Sequence, residues 1–325
     1  MRRFLVHALL FFLIALALAS AMDWAATAGL HELRSGDYIQ WNDIRSGAAA
    51  ADILVQGSSR AWTGFSPVII GQATGMSVYN LGVDGYPLDM QLARYAMYRE
   101  YNPKPKVIVQ TLDVFGLVVR DKIYRPAQFL PYVGEPYLRQ NLSRYDYFHW
   151  YDYHLPLVRY RGDPGRVRLG LFQLAGLYHS TSKRVAGYQG QDRTWDPKPL
   201  EDFVAANPNG TSYMIDPAVE AGLDAMLERC SEEGVFVVFV YPPEYIRAQP
   251  VTTNRAEIMG TYQRLAAKYG FPFLDYSSDP ICLDTKYFYN SQHMNTLGAE
   301  TFSTEFAAEL QQLLEDWHRP VPAGG

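Results

Sequence analysis

Cysteine is almost missing from this 325-residue chain, where Cys230 and Cys282 are the two present. Two residues so far apart build neither a disulfide framework nor a thiolate metal cluster. The strand pattern below puts Cys230 before a strand and Cys282 beyond the end of the next, at opposite ends of a parallel sheet, so two free, buried thiols are expected. Basic runs interleaved with aromatics are also lacking, and the net charge is −5 with a pI near 5.8. Nucleic acid is therefore not an expected partner. No glycine-rich loop is shaped to cradle phosphate, so no nucleotide cofactor is implied. Histidines are few; His149 and His154, near Asp146 and Asp152, have an i,i+5 spacing that does not share one helix face, and no metal is expected. Internal repeats and low-complexity tracts are absent.

With 48% hydrophobic and 19% charged residues, the chain can bury a sizeable core as one large domain or one domain with an insertion. Arg2 and Arg3 precede an apolar run from Phe4 to about Ala21, interrupted by His7 and Ser20. The run is long enough to cross a bilayer, and the two arginines favour a cytoplasmic N-terminus. Residues 1–24 are read as a single-pass anchor in the cell membrane, with the rest on the extracytoplasmic side. Ala19-Ser20-Ala21 keeps a cleavable signal peptide open as the alternative. Residues 25–51 read as a linker, polar and then Ala-rich, with a short helix.

The folded domain is expected over 52–325. Five apolar runs read as buried strands: Asp52–Gln56, Ser77–Leu81, Lys106–Thr111, Gly234–Val240 and Phe271–Asp275. Helical patterns at Leu88–Tyr101, Pro217–Glu233, Ala256–Tyr269 and Thr296–Trp317 separate or close them. Apolar strands alternating with helices predict a doubly wound, parallel five-stranded α/β sheet covered on both faces, with its ligand site beyond the carboxyl ends of the strands. About 100 residues, roughly 117–217, exceed one crossover helix and read as a large insertion after the third strand. Within it Tyr145–His154 is the most aromatic stretch, suited to stacking on sugar, to a membrane interface, or to packing the insertion.

Gly57-Ser58-Ser59-Arg60 follows the first strand and opens a helix. A serine there can act as a nucleophile, because free N–H groups and the helix dipole stabilise developing negative charge, though such a turn is also an ordinary helix cap. Near the other end, Asn290-Ser291-Gln292-His293 precedes the last helix.

This pairing resembles the SGNH/GDSL hydrolase superfamily, in which a glycine-bracketed serine follows the first strand and an Asp-x-x-His element precedes the final helix. The resemblance covers about 52–113 and 234–314 and implies a flavodoxin-like fold. It gives Ser59 the nucleophile position, Ser58 the position that is often Asp, and His293 that of general base. Asn80–Gly85 is similar to the second block, which assigns an oxyanion role to the N–H of Gly85 beside that of Ser59. Arg60, Asn80 and Asp113 are the residues expected nearest substrate. Two departures stand out. Gln110-Thr111-Leu112-Asp113 lacks the oxyanion Asn of the third block, and Asn290 replaces the catalytic Asp. Asn accepts the His Nδ1–H but cannot balance an imidazolium, so Asp284, Asp113 or Asp84 would have to supply charge.

The anchor, the Gly-Ser-Ser turn and Val240-Tyr241-Pro242-Pro243 look most like the envelope acyl-transfer branch of the superfamily. That resemblance implies a serine-dependent O-acyltransferase or esterase acting on a cell-envelope or exported polysaccharide, with a glycan acceptor and a membrane-bound O-acyltransferase as partner. The competing reading is a catalytically silent glycan-binding or scaffold subunit on the same fold.

Overall fold

The computed structural model describes residues 1–118, 122–145, 147–179 and 182–318. In chain order the first half runs α1 (Arg2–His31), α2 (Tyr38–Arg45), β1 (Ile53–Gln56), α3 (Ser59–Gly64), α4 (Pro67–Thr74), β2 (Val78–Asn80), α5 (Leu88–Tyr101) and β3 (Val107–Thr111). Then come α6 (Pro136–Leu142), α7 (Trp150–His154), α8 (Gly165–Leu174), α9 (Lys198–Ala206), α10 (Pro217–Glu232) and β4 (Phe236–Tyr241). The chain ends with α11 (Arg255–Lys268), β5 (Phe273–Asp275), the strand pair β6 (Phe288–Asn290) and β7 (His293–Met294), and α12 (Thr296–His318). Two compact units emerge, one of 1–48, 96–101 and 120–183, the other of 49–95, 102–119 and 184–325.

The second unit holds a parallel sheet in the order β2-β1-β3-β4-β5, the doubly wound arrangement expected from the sequence. Every residue of β1, β3 and β4 is buried, because helices cover both faces and a strand with two dry faces cannot alternate. Val55 pairs with Val109, Val109 with Val238, and Val240 with Leu274. On one face Phe65 meets Phe302 and Phe306 edge-on at 5.1 and 5.2 Å, fastening α12 over the sheet. Asp216 starts α10 by accepting from the N–H groups of Ala218 and Val219, with Pro217 at the first helical position. Since β1 is followed outward by β2 and inward by β3, the crevice at the carboxyl ends of β1 and β3 is the topological switch point. Both cysteines are free and buried.

Three sequence expectations differ. Residues 25–51 are not a plain linker: α1 continues to His31, and α2 buries Tyr38, Trp41 and Ile44, whose i, i+3, i+6 spacing forms one apolar face within a polar-looking stretch. Asn42 Nδ2 donates to the Leu30 and Leu33 carbonyls at 2.9 Å, closing the end of α1. Second, the expected insertion divides, with 120–183 joining the first unit and 184–217 remaining with the sheet. Third, β6 and β7 are an antiparallel pair outside the main sheet, too short to stand out as a periodic pattern. In the first unit α8 lies so close to α1 that a Cβ on Gly29 or Gly170 would overlap the other helix's backbone. Of the aromatic stretch, Tyr145 and Phe148 are buried, Tyr147 and Trp150 exposed; Asp146 lies outside the described residues. Asp152 caps the His149 N–H at 2.9 Å and pairs with Arg161. No cluster of three metal-ligating side chains occurs among the described residues.

α1 is 30 residues long and apolar enough to cross a membrane.

Candidate active site

Gly57 turns the chain out of β1 with φ 157°, and a Cβ there would overlap Thr111 Oγ1 and Ala61 Cβ, so glycine is required. Ser58 caps α3, its Oγ accepting from the Arg60 N–H at 3.3 Å. Ser59 is therefore the first residue of α3, at the carboxyl end of β1, with 6% of its surface exposed. Its own N–H is not consumed by the helix, whose first turn cannot bond it.

His293 arrives on β7. Its Nε2 lies 2.6 Å from Ser59 Oγ and its Nδ1 lies 2.8 Å from Asn290 Oδ1. The tautomer follows from Asn290, because Oδ1 also accepts the backbone N–H groups of Gln292 at 3.1 Å and His293 at 3.0 Å. An atom taking two N–H bonds is an oxygen, so the third bond needs a proton on Nδ1. Nε2 then presents a lone pair, and the Ser59 hydroxyl donates to it. Asn290 thus fixes orientation and tautomer without bringing charge.

The His293 imidazole is held down at about 4, first by burial and then by the positive charge of Arg60; Asp84 opposes this and Arg193 adds to it. At neutral pH it is an uncharged acceptor. Tyr289 stacks on the ring with centroids 5.3 Å apart and planes 12° apart, and Arg193 lies 4.5 Å over the Tyr289 ring. The Asp196 N–H donates to the Tyr289 carbonyl at 3.0 Å, and the Thr296 N–H to that of Gln191 at 3.1 Å, so the 191–196 segment is fastened beside the site. Tyr289 and Arg193 had no signature in sequence; strand alternation around Asn290 and an isolated arginine are too common to single them out.

Arg60, Asn80 and Asp113, expected near substrate, are instead 4%, 0% and 2% exposed and bonded to protein. Arg60 pairs with Asp113 at 3.4 Å, donates to the Leu112 and Pro242 carbonyls, and lies 4.5 Å over Tyr241. It binds the serine turn to the ends of β3 and β4. Asn80 Nδ2 donates to the Ala61 and Phe65 carbonyls at 2.8 and 3.0 Å, while its Oδ1 accepts the Gly82 N–H at 2.8 Å. These three are positioning residues, buried because the turn must be held by something.

Gly85 stands in the β2–α5 loop with φ 69°. That loop is tied to the serine turn by Val83 N–H donating to the Gly57 carbonyl at 3.2 Å. Of the three carboxylates considered for His293, Asp113 is committed to Arg60, and Asp284 caps the Lys286 N–H at 3.0 Å and pairs with its ammonium. Asp84 is the one whose charge reaches His293.

No family model matches this chain, and no curated protein matches it. Among solved structures it is similar to a GDSL-like lipase from Bacteroides thetaiotaomicron, at 11% identity and a TM-score of 0.39, covering 85% of this chain and 97% of that one. It is also similar to an acetylxylan esterase from Geobacillus stearothermophilus, at 11% identity and 0.39, covering 86% and 100%. An aryl esterase from M. smegmatis aligns at 11% identity and 0.32, covering 82% and 98%. At these values none of them assigns a function to this chain.

Proposed function

We propose that this chain is a serine-dependent acyl-transferring enzyme, an O-acyltransferase or esterase, acting on acyl groups of a cell-envelope or exported polysaccharide. The observation that carries the reading is the Ser59 Oγ–His293 Nε2 contact of 2.6 Å, with the His293 tautomer set by Asn290. Ser59 Oγ attacks the acyl carbonyl carbon while His293 Nε2 takes the hydroxyl proton. The carbonyl oxygen becomes an oxyanion, met by the N–H at the start of α3, with Gly85 as second donor. The tetrahedral intermediate expels an alkoxide that collects the proton from Nε2, leaving an acyl-Ser59. A sugar hydroxyl or water then gives its proton to Nε2 and attacks the acyl carbon, and as the acyl–Oγ bond breaks Ser59 Oγ takes that proton back from Nε2.

The likeness to the acyl-transfer branch and the apolar α1 support transfer on the extracytoplasmic side, beside a membrane-bound O-acyltransferase that supplies the acyl group. Asn290 and Leu112, at positions where the superfamily carries Asp and Asn, favour the second reading, a silent glycan-binding scaffold on the same fold. The two separate in one experiment. The full chain is incubated with p-nitrophenyl acetate with and without an acceptor oligosaccharide, and acetyl is sought on the Ser59 peptide and on sugar. Acetyl-Ser59 that passes to sugar supports transfer, passage to water alone supports an esterase, and an unacetylated folded chain supports the scaffold.

A further inference from the structure

The exposed apolar run of α1, Phe4 to Ala21, covers 18 residues. At about 1.5 Å per residue it is roughly 27 Å long, close to the hydrocarbon thickness of a bilayer. The first unit grips the helix directly beyond that run. Asp23 accepts the Leu157 N–H at 2.8 Å and the Arg159 guanidinium, and Arg159 also donates to Thr27 Oγ1 at 2.7 Å. Tyr160 OH shares a hydrogen bond of 2.8 Å with the same Thr27 hydroxyl. Leu157 itself holds φ 65°, a costly conformation for a leucine, to make this corner.

The segment leading into the corner carries large apolar side chains that the unit leaves uncovered. Trp150, at the start of α7, is 66% exposed and Leu155 44%, and on α1 Trp24 is 70% exposed. Leu155 is two residues along the chain from the Leu157–Asp23 tie and Trp150 seven, across the five-residue α7. Arg161, about half exposed, stacks 4.8 Å over Tyr151 beside them. Indoles with an apolar neighbour and an arginine at the end of a spanning helix have the chemistry of the membrane–water boundary.

We propose that α7 and the Leu155–Tyr160 corner form a foot resting on the leaflet from which α1 emerges, with Trp24, Trp150 and Leu155 entering the headgroup–acyl boundary. The partner is a lipid surface. The inference uses nothing of Ser59 or His293 and rests on α1 spanning a bilayer. A buried depth of about 5–10 Å is expected for such a contact.

The test places single nitroxides at Leu13→Cys, Trp150→Cys and Leu155→Cys, in a Cys230→Ala, Cys282→Ala background. The full chain is reconstituted in phosphatidylcholine–phosphatidylglycerol vesicles, and collisions with oxygen and with a water-soluble nickel chelate are compared with those of the free nitroxide in buffer. Position 13 should report acyl chain, and 150 and 155 headgroup depth. Positions 150 and 155 reading as wet as the free nitroxide while 13 stays deep would overturn the foot alone. A wet position 13 would overturn the span, and the foot with it. With native cysteines kept, Trp150→Phe should lower the tryptophan quenching by brominated lipids; unchanged quenching counts against the foot.

Discussion

Asn290→Asp is the substitution whose effect the site specifies most closely. Asn290 Oδ1 takes three N–H bonds at 2.8, 3.0 and 3.1 Å, and all three suit a carboxylate oxygen without rearrangement. What changes is charge beside Nδ1. An opposite charge within hydrogen-bond reach raises a histidine by about 1–3 pKa units, each worth about 1.4 kcal/mol. If that free energy appears where His293 carries the proton, the acyl-transfer step gains about 10- to 1000-fold. The assay is kcat/KM for p-nitrophenyl acetate from about pH 3 to pH 9. The base must be neutral, so wild-type activity should fall below about 4, where His293 takes a proton. In the variant the plateau should rise and the acid limb should move up. An unchanged or lower plateau with the limb still near 4 would refute the assignment of Asn290 as the uncharged orienting group.

Stability should depend on pH through the same ring. His293 is held at about 4 in the folded chain against 6.5 for the free side chain, so between these values the unfolded state binds more protons. Stability is full above 6.5 and is lost as pH falls toward 4, by up to about 3 kcal/mol, and urea unfolding of His293→Ala should show a shallower decline. Arg60→Met leaves Asp113 buried without its cation and should cost about 3–5 kcal/mol by urea unfolding, much of it restored by adding Asp113→Leu. Asn80→Ala removes two donors from the end of α3 and the acceptor of the Gly82 N–H, a loss of about 2–3 kcal/mol by the same measurement.

The parallel sheet was legible because its central strands are continuous apolar runs, a pattern that two covered faces impose on β1, β3 and β4. The serine turn, weak evidence by itself, and the histidine were picked out together through the resemblance of Gly57–Arg60 and Asn290–His293 to two motifs of one superfamily, and the structure brings the two side chains to 2.6 Å. The inward course of Arg60, Asn80 and Asp113 was not, since a polar residue beside a nucleophile reads the same whether it faces substrate or clamps backbone carbonyls. Burial decides that, and for Arg60 it comes from the ends of β3 and β4, which arrive from far along the chain. Arg193 was hidden for a related reason: its contact with the Tyr289 ring joins segments 96 residues apart, and no local period encodes it, while Tyr289, four residues before His293, bore no mark of its stacking on that ring. Residues 25–51 misled because one apolar face of α2 is diluted by Gln40, Asn42 and Asp43, which are buried with hydrogen-bonding or charged neighbours rather than solvated.

On the proposed reading Ser59 and His293 form a competent nucleophile–base pair with an uncharged third member. Labelling the full chain with a fluorophosphonate probe and reading intact masses puts that pair to the test. The pair predicts one adduct on the wild type and none on Ser59→Ala or His293→Ala, with both variants folded. A folded wild type that takes no probe, or a Ser59→Ala chain labelled to the same extent, would contradict it.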